Sequence, residues 1–223
     1  TIDEKVISKD NELYTTIAGI ENAFNIMFQY DSSNNTISIY TLDYLIASYS
    51  QKYKVEEYSD NFSDKKAIFE GLLIVVANNK YGVLNVGTGK YILETKYDHI
   101  SYLPYFSQFL VESNGKDGIM DKNGKIKIKV SYDEIQVADN KNELYVVKEN
   151  NLYGIVNKDG EVVLSSIFQR IGIDANNFEQ NRLDNSYILV NELIPVKYNN
   201  FWGFYNIKGE KVTDFIFYDV GCK

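Results

Sequence analysis

The sequence is poor in the residues that most often carry chemistry. Its 223 residues hold one cysteine, one histidine, one tryptophan, two methionines and two prolines. A lone cysteine, Cys222, excludes an intrachain disulfide, which suits a reducing cytosol and equally an exported protein that uses none. One His and one Cys far apart cannot build a zinc site. The loop Asp121-Lys122-Asn123-Gly124 is too short for calcium and contains a lysine, so its acid is read as a turn former. No metal and no cofactor is expected. The longest apolar run, "LLIVVA" at 72–77, is far below the roughly 18 residues that span a bilayer, so membrane insertion is not expected. Lysine and arginine form no cluster on a predicted helix or loop, and the net charge is −8. Nucleic acid and anionic membranes need a basic footprint and are not expected partners. A phosphate cradle is absent as well, because Gly87-Thr88-Gly89 sits in a strand–strand turn and not before a helix.

What is present is apolar and aromatic. Hydrophobic residues make up 44% of the chain, with 19 Tyr and 12 Phe. A chain of this size buries roughly 70% of its unfolded surface and folds without disulfide or metal. It begins at Thr1, which is expected to reflect a fragment or a processed form whose signal peptide has been removed.

The dominant signal is repetition. Gly82, Gly118, Gly154 and Gly203 each follow an aromatic or polar residue, at separations of 36, 36 and 49. The last is one period plus an insertion of 13. Just ahead of each glycine lies a turn pair, Asn78-Asn79, Asn114-Gly115, Asn150-Asn151 or Asn199-Asn200. Asn and Gly tolerate the positive φ that two-residue hairpins demand. A second turn follows each glycine, Asp121-Lys122-Asn123-Gly124, Asn157-Lys158-Asp159-Gly160 and Asn206-Ile207-Lys208-Gly209. Asx at the first position and Gly at the fourth suit a type I turn. In the first repeat the stretch Asn85 to Gly89 is one residue longer and predicts a wider loop. A strand comes next, as in the strictly alternating "KIKIKV" at 125–130. Tyr97, Tyr132, Phe168 and Phe217 then recur, followed by Ile100, Ile135, Ile171 and Val220.

Each unit is therefore expected to be a three-stranded antiparallel meander of about 36 residues, with a short fourth segment around "YDHI" or "YDEI". Such a meander is marginal alone and needs stacked neighbours. The pattern resembles the WG-repeat family, named for its Trp-Gly pair, over roughly residues 71–221. Trp202-Gly203 carries the literal pair, Tyr81-Gly82 and Tyr153-Gly154 substitute Tyr, and Asp117-Gly118 departs outright. The resemblance implies an all-β repeat module found in many bacterial proteins.

Residues 1–53 follow another grammar. Strand-like "LYTTI" (13–17), helix-like "AGIENAF" (18–24), a hairpin from "NIMFQYD" (25–31) and "TISIYT" (36–41), and a helix over 42–53 capped by Thr41 predict a small α+β domain. The run "YTTIAGIENAFNIMFQYDSSNNTISI" resembles the stalk-like N-terminal domain of copper amine oxidases. That likeness implies an exported, surface-located protein and no copper, since residues 1–53 contain neither His nor Cys. Residues 54–70 are expected to be a linker or cap, and "DANNFEQNRLDNSY" (174–187) a protruding loop.

The expected architecture is mainly β: tandem three-stranded meanders over 71–223, as a curved array or propeller-like, behind the small domain at 1–53. His99 beside Asp98 lacks any partner nucleophile in the sequence, and its counterparts Glu134, Arg170 and Asp219 suggest a solvent-facing strand position. No catalytic residue is assigned and no enzyme is expected. The aromatics are the candidates for ligand contact: Tyr102, Tyr105 and Phe106 in "SYLPYFSQF" (101–109), and Trp202, for which a core role is the ordinary alternative. The expected function is a non-catalytic binding or scaffold module, extracellular or at the cell surface, engaging a protein or a cell-envelope glycan. The alternatives are a glycan hydrolase with carboxylates from different repeats, and a passive spacer.

Overall fold

The computed structural model describes residues 7–10, 12–24, 26–56, 58–59, 65–66, 68–174, 186–187, 189 and 192–220. Cys222 and positions 175–185 of the expected insertion lie outside the described residues. The chain divides into two compact units, Thr1–Tyr97 and Asp98–Lys223.

In the first unit, helix α1 spans Ile17–Phe24 and helix α2 spans Leu42–Ser50. Between them Ile26–Asp31 and Thr36–Thr41 form the expected hairpin in unbroken register, Phe28 opposite Ile39 and Tyr30 opposite Ile37. Thr41 caps α2, its side chain accepting from Tyr44 N at 3.2 Å. The first repeat supplies Leu72–Ala77, Lys80–Asn85 and Tyr91–Tyr97. The stretch 54–70 does more than link, because Lys54–Val55 and Ile68–Phe69 both pair with Leu72–Ala77.

Leu73, Val75 and Leu84 of this first sheet, and Val86 in the turn that follows, are buried together with Leu45 of α2 and Ile68. Met27, Tyr40, Leu42, Ile46 and Tyr49 pack around them. Each such aliphatic side chain contributes about 1.5–3 kcal/mol when withdrawn from water. Polar contacts fix the seat: the Tyr49 hydroxyl donates to Val86 O at 2.8 Å, and Gln29 Nε2 to Gly87 O at 2.5 Å. The α2 helix and the hairpin thus cover one face of the first sheet, the kind of capping a repeat array needs at its end.

Among the described residues, the second unit holds three more repeat sheets and one short two-stranded ladder. The second sheet runs His99–Leu103, Gln108–Ser113, Lys116–Asp121 and Ile126–Tyr132 in sequence order. The third runs Glu134–Asp139, Leu144–Glu149, Leu152–Asn157 and Val162–Phe168. The fourth orders Arg170–Ile171, Leu193–Tyr198 and Phe201–Asn206, completed by isolated bridges from Trp202 to Phe217 and from Tyr205 to Lys211. All these pairings are antiparallel. The ladder of Ile173–Asp174 with Ser186–Tyr187 roots the insertion at both ends.

The short fourth segment expected to end each repeat instead opens the next sheet. After Tyr97, Tyr132 and Phe168 the chain turns at Asp98, Asp133 or Gln169 and enters a new first strand. A recurring clasp fixes this crossover. The N–H groups of Asp98, Asp133 and Gln169 donate to Glu112 O, Lys148 O and Lys197 O, each at 2.8 Å. Their side chains accept from the hairpin tips: Asp98 from Asn114 N (2.7 Å), Asp133 from Asn150 N (2.8 Å) and Gln169 from Asn200 N (2.8 Å). The longer Gln reaches one residue further into its turn.

The third sheet is buried on both faces. Tyr145, Val147 and Val156 join Ile119, Ile128 and Ile135 in one core. Leu144, Val146, Ile155 and Leu164 join Ile171, Ile194 and Val196 in another. The period-2 alternation of a strand sends neighbours to opposite cores, so a run such as "LYVV" can be apolar throughout.

Candidate functional site

The glycine after the aromatic slot is explained by close approach. A Cβ on Gly154 would stand 2.6 Å from Leu164 O, and one on Gly118 would stand 2.8 Å from Val130 N. On Gly82 it would stand 2.8 Å from Leu93 O. The cause is a bulge in the last strand. Tyr153 pairs with Phe168 and Ile155 with Leu164, so two steps on one strand face four on its partner. Gly82 and Gly118 oppose the same irregularity. Without a side chain the third strand lets the bulged strand close over it.

The turn glycines serve a second purpose. Gly160 has φ +85° and a Cβ there would stand 2.3 Å from Lys127 O of the preceding sheet. Gly209 has φ +81° and stands in the same relation, 2.3 Å, to Val163 O. The second turns of the third and fourth repeats thus rest on the last strand of the repeat before them. Asn157 Oδ1 shapes that turn by accepting from Asp159 N and Glu161 N at 3.0 and 2.9 Å, and Asn206 Oδ1 accepts from Lys208 N and Glu210 N at 3.0 Å.

On this constant backbone one row of side chains varies. In the third sheet, Glu134, Lys148, Tyr153 and Phe168 stand in register across the four strands. In the fourth, the row reads Arg170, Lys197, Trp202 and Phe217. Lys148 lies 5.5 Å from the Tyr153 ring centroid and Lys197 lies 5.9 Å from that of Trp202, cation–π distances in both cases. In the second sheet the row reads His99, Glu112, Asp117 and Tyr132. The lysine–aromatic pair has become Glu opposite Asp, and directly opposite residues hold their Cβ atoms roughly 5 Å apart.

Asp117 is the chemically distinctive group. Its Oδ2 accepts from Ile135 N of the third sheet at 3.0 Å, which ties the two sheets together. Burial pushes its carboxyl above the usual aspartate range, and Glu112 and Glu134 push the same way. The Ile135 N–H and His99 oppose them. His99 is exposed, and Ser101 Oγ stands 3.4 Å from its Nδ1. Asp98, adjacent in sequence, holds the hairpin tip at Asn114. Among the described residues, no three His, Cys, Asp or Glu side chains form a group able to hold a metal ion.

The four aromatic candidates fall in different places. Tyr102 is buried and tilts against Phe109, with ring centroids 5.6 Å apart. Phe106 is half-buried and meets Tyr145 edge-on at 5.0 Å. Trp202 is buried beneath Lys197. Tyr105 is 60% exposed, at the turn between the first two strands of the second sheet. That turn has a buried foundation in Gln108, whose Nε2 donates to Lys158 O at 3.0 Å and whose Oε1 accepts from the Tyr145 hydroxyl at 2.7 Å. Desolvation pushes the Tyr145 hydroxyl well above its ordinary pKa, so it stays a donor. Gln108 is not singled out by the sequence, which marks His99, Glu134 and Arg170, and likewise Asp117, Tyr153 and Trp202, as equivalent positions without joining the two columns into one row. Position 134 offers a sign, since "YDEI" places a charge where an all-apolar strand would open.

Residues 118–153 and 153–200 match the family model described as WG containing repeat. The matched residues span the latter half of the second sheet, the third sheet and the entry into the fourth. A comparison with curated proteins gives no match. Among solved structures, this chain is similar to "KlHsv2 with loop 6CD replaced by a Gly-Ser linker" at 14% identity, covering 64% of this chain and 47% of that one with a TM-score of 0.29. Among the described residues, no helix is long and apolar enough to cross a membrane.

Proposed function

We propose that this chain is a non-catalytic binding or scaffold module of a secreted or surface-located bacterial protein, engaging a protein or a cell-envelope glycan along the varying row of its WG repeats. The observation that supports this reading is a fixed backbone with a changing row, exposed at His99 and half-buried at Glu134, Lys148, Tyr153, Arg170 and Lys197, with Trp202 buried beneath it. Glycine, Asx turn and crossover clasp recur from sheet to sheet, while the row changes from His-Glu-Asp to Glu-Lys-Tyr to Arg-Lys-Trp. Repeat arrays recognise partners through surfaces of this kind. Tyr105 adds an exposed ring able to stack on a sugar or fill a partner's pocket. The resemblance of the N-terminal portion to stalk-like domains of exported proteins supports the location.

The test is co-sedimentation of the chain with insoluble bacterial cell wall, with and without soluble glycans as competitors. Saturable, competable binding is expected, weakened several-fold by Lys148→Ala with Arg170→Ala or by Tyr105→Ala at unchanged unfolding midpoint. Absence of wall binding removes the glycan version, and absence of a captured protein as well leaves the passive spacer.

A second reading is favoured by Asp117. A carboxyl raised by burial beside Glu112 and Glu134 is the pairing a glycan hydrolase uses, one carboxyl as acid and a second as base or nucleophile. Release of soluble sugar from cell-wall glycan that disappears in Asp117→Asn would establish it, and no release by the parent chain would end it.

A further inference from the structure

The hairpin tips of the four repeats differ in one chemically consequential respect. Three carry Asn-Asn, and the second sheet carries Asn114-Gly115. An asparagine followed by glycine is prone to intramolecular attack, because no side chain shields the next backbone nitrogen. The chain has one other such pair, Asn123-Gly124, only nine positions on.

We propose that Asn114-Gly115 is a site of spontaneous modification, at which the Asn114 amide converts to aspartate and isoaspartate in the folded protein faster than the Asn123 amide does. Gly115 N attacks Asn114 Cγ and loses its proton. The Cγ–Nδ2 bond breaks, ammonia leaves, and a five-membered succinimide closes. Water then opens either carbonyl of that ring, returning aspartate or isoaspartate.

Two observations separate the sites. Gly124 N is committed, donating to Asp121 O at 2.9 Å inside its turn, as Gly160 N and Gly209 N do to Asn157 O and Asn206 O in theirs. Among the described residues, Gly115 N has no such turn bond. A Cβ built on Gly115 would meet nothing within 4 Å, so the backbone has room to swing toward the amide. Both asparagines are exposed, and both have their own N–H held by an aspartate: Asn114 N by Asp98 Oδ2 at 2.7 Å, and Asn123 N by Asp121 Oδ1 at 2.9 Å. The difference therefore rests on the glycine N–H, and one turn hydrogen bond is worth roughly a five-fold difference in rate.

The product alters a working part of the fold. A carboxylate at position 114 stands beside Asp98, the residue that clasps this tip at the entry to the second sheet. Isoaspartate adds a backbone carbon to a two-residue turn that sets Ser113 opposite Lys116.

The experiment is incubation of the full chain at mildly alkaline pH, with peptide mapping by mass spectrometry against the same chain in denaturant. In denaturant the two sites should convert at similar rates. In the folded chain position 114 should lead position 123 by roughly five-fold or more. Gly115→Asn, which copies the other repeats, should nearly abolish conversion at 114 and leave 123 unchanged. Asp98→Asn should accelerate 114 selectively. Position 123 converting as fast as 114 in the folded chain, or neither converting while the denatured control does, would overturn the proposal.

Discussion

Three glycine-to-alanine substitutions separate the two roles assigned to glycine in each repeat. Gly115→Ala places a side chain at φ +69° with nothing within 4 Å, so its cost is conformational alone, about 1–2 kcal/mol. Gly154→Ala sets a Cβ 2.6 Å from Leu164 O and 2.9 Å from Ser166 N, both backbone atoms of the bulged strand. That strand has to move, and overpacking of this kind costs about 1–3 kcal/mol. Gly160→Ala combines both penalties, with φ +85° and a Cβ 2.3 Å from Lys127 O, for a total of about 2–5 kcal/mol. The assay is equilibrium unfolding in urea followed by tyrosine and tryptophan fluorescence. The expected order of destabilisation is Gly160→Ala, then Gly154→Ala, then Gly115→Ala. Lys127→Met is the control, because the contact runs to the Lys127 carbonyl and the exposed Lys127–Asp159 ion pair at 2.6 Å is incidental to it. Its midpoint should stay close to that of the parent. Gly160→Ala costing no more than Gly115→Ala would refute the claim that this turn seats one sheet on the next.

Other outcomes follow from the polar contacts. Tyr145→Phe should destabilise the chain by about 1–3 kcal/mol, because Gln108 Oε1 is left buried without its donor, and Gln108→Leu in the same background should recover part of that loss. Asp133 and Asp117 should have opposite pH signatures. The Lys116 ammonium and the Asn150 N–H hold Asp133 below its ordinary pKa, so its contribution is present above the unfolded value and lost as pH falls through the folded one. Asp133→Asn should therefore flatten the acid limb of stability against pH. Asp117 is raised by burial, so stability falls as pH rises from the ordinary aspartate value through the folded one. Asp117→Asn, which keeps an oxygen for Ile135 N, should be at least as stable as the parent at neutral pH, with that advantage vanishing in acid.

The local chemistry of this fold was legible in the sequence. Asn157 and Gly160 announce their turn because the side-chain oxygen and the positive φ act within four residues. The helix cap at Thr41 and the hairpin over 26–41 were legible for the same reason. The boundary between sheets was not, since Asp98, Asp133 and Gln169 do one job with two residue types and their partners lie 16, 17 and 31 positions away. Gly154 could be found by its spacing, yet its reason, the bulge at Leu164 to Phe168, exists only once two strands meet. The aromatics of 101–109 divide by depth: Tyr102 shares a pairing position with Phe109, whereas Tyr105 stands in the turn, and composition cannot tell them apart. The varying row has the same difficulty, because Lys148 and Tyr153 become neighbours only through strand register.

The seat of Gly160 on Lys127 O and of Gly209 on Val163 O is made between backbone atoms. A joint of that kind is blind to the side chains on either side of it. Whole repeats can then be duplicated, deleted or exchanged by recombination without each new neighbour having to co-adapt at this contact. The chemistry displayed along the array is free to diversify one sheet at a time, and the 13-residue insertion before the last glycine shows that the plan also absorbs extra chain between seats.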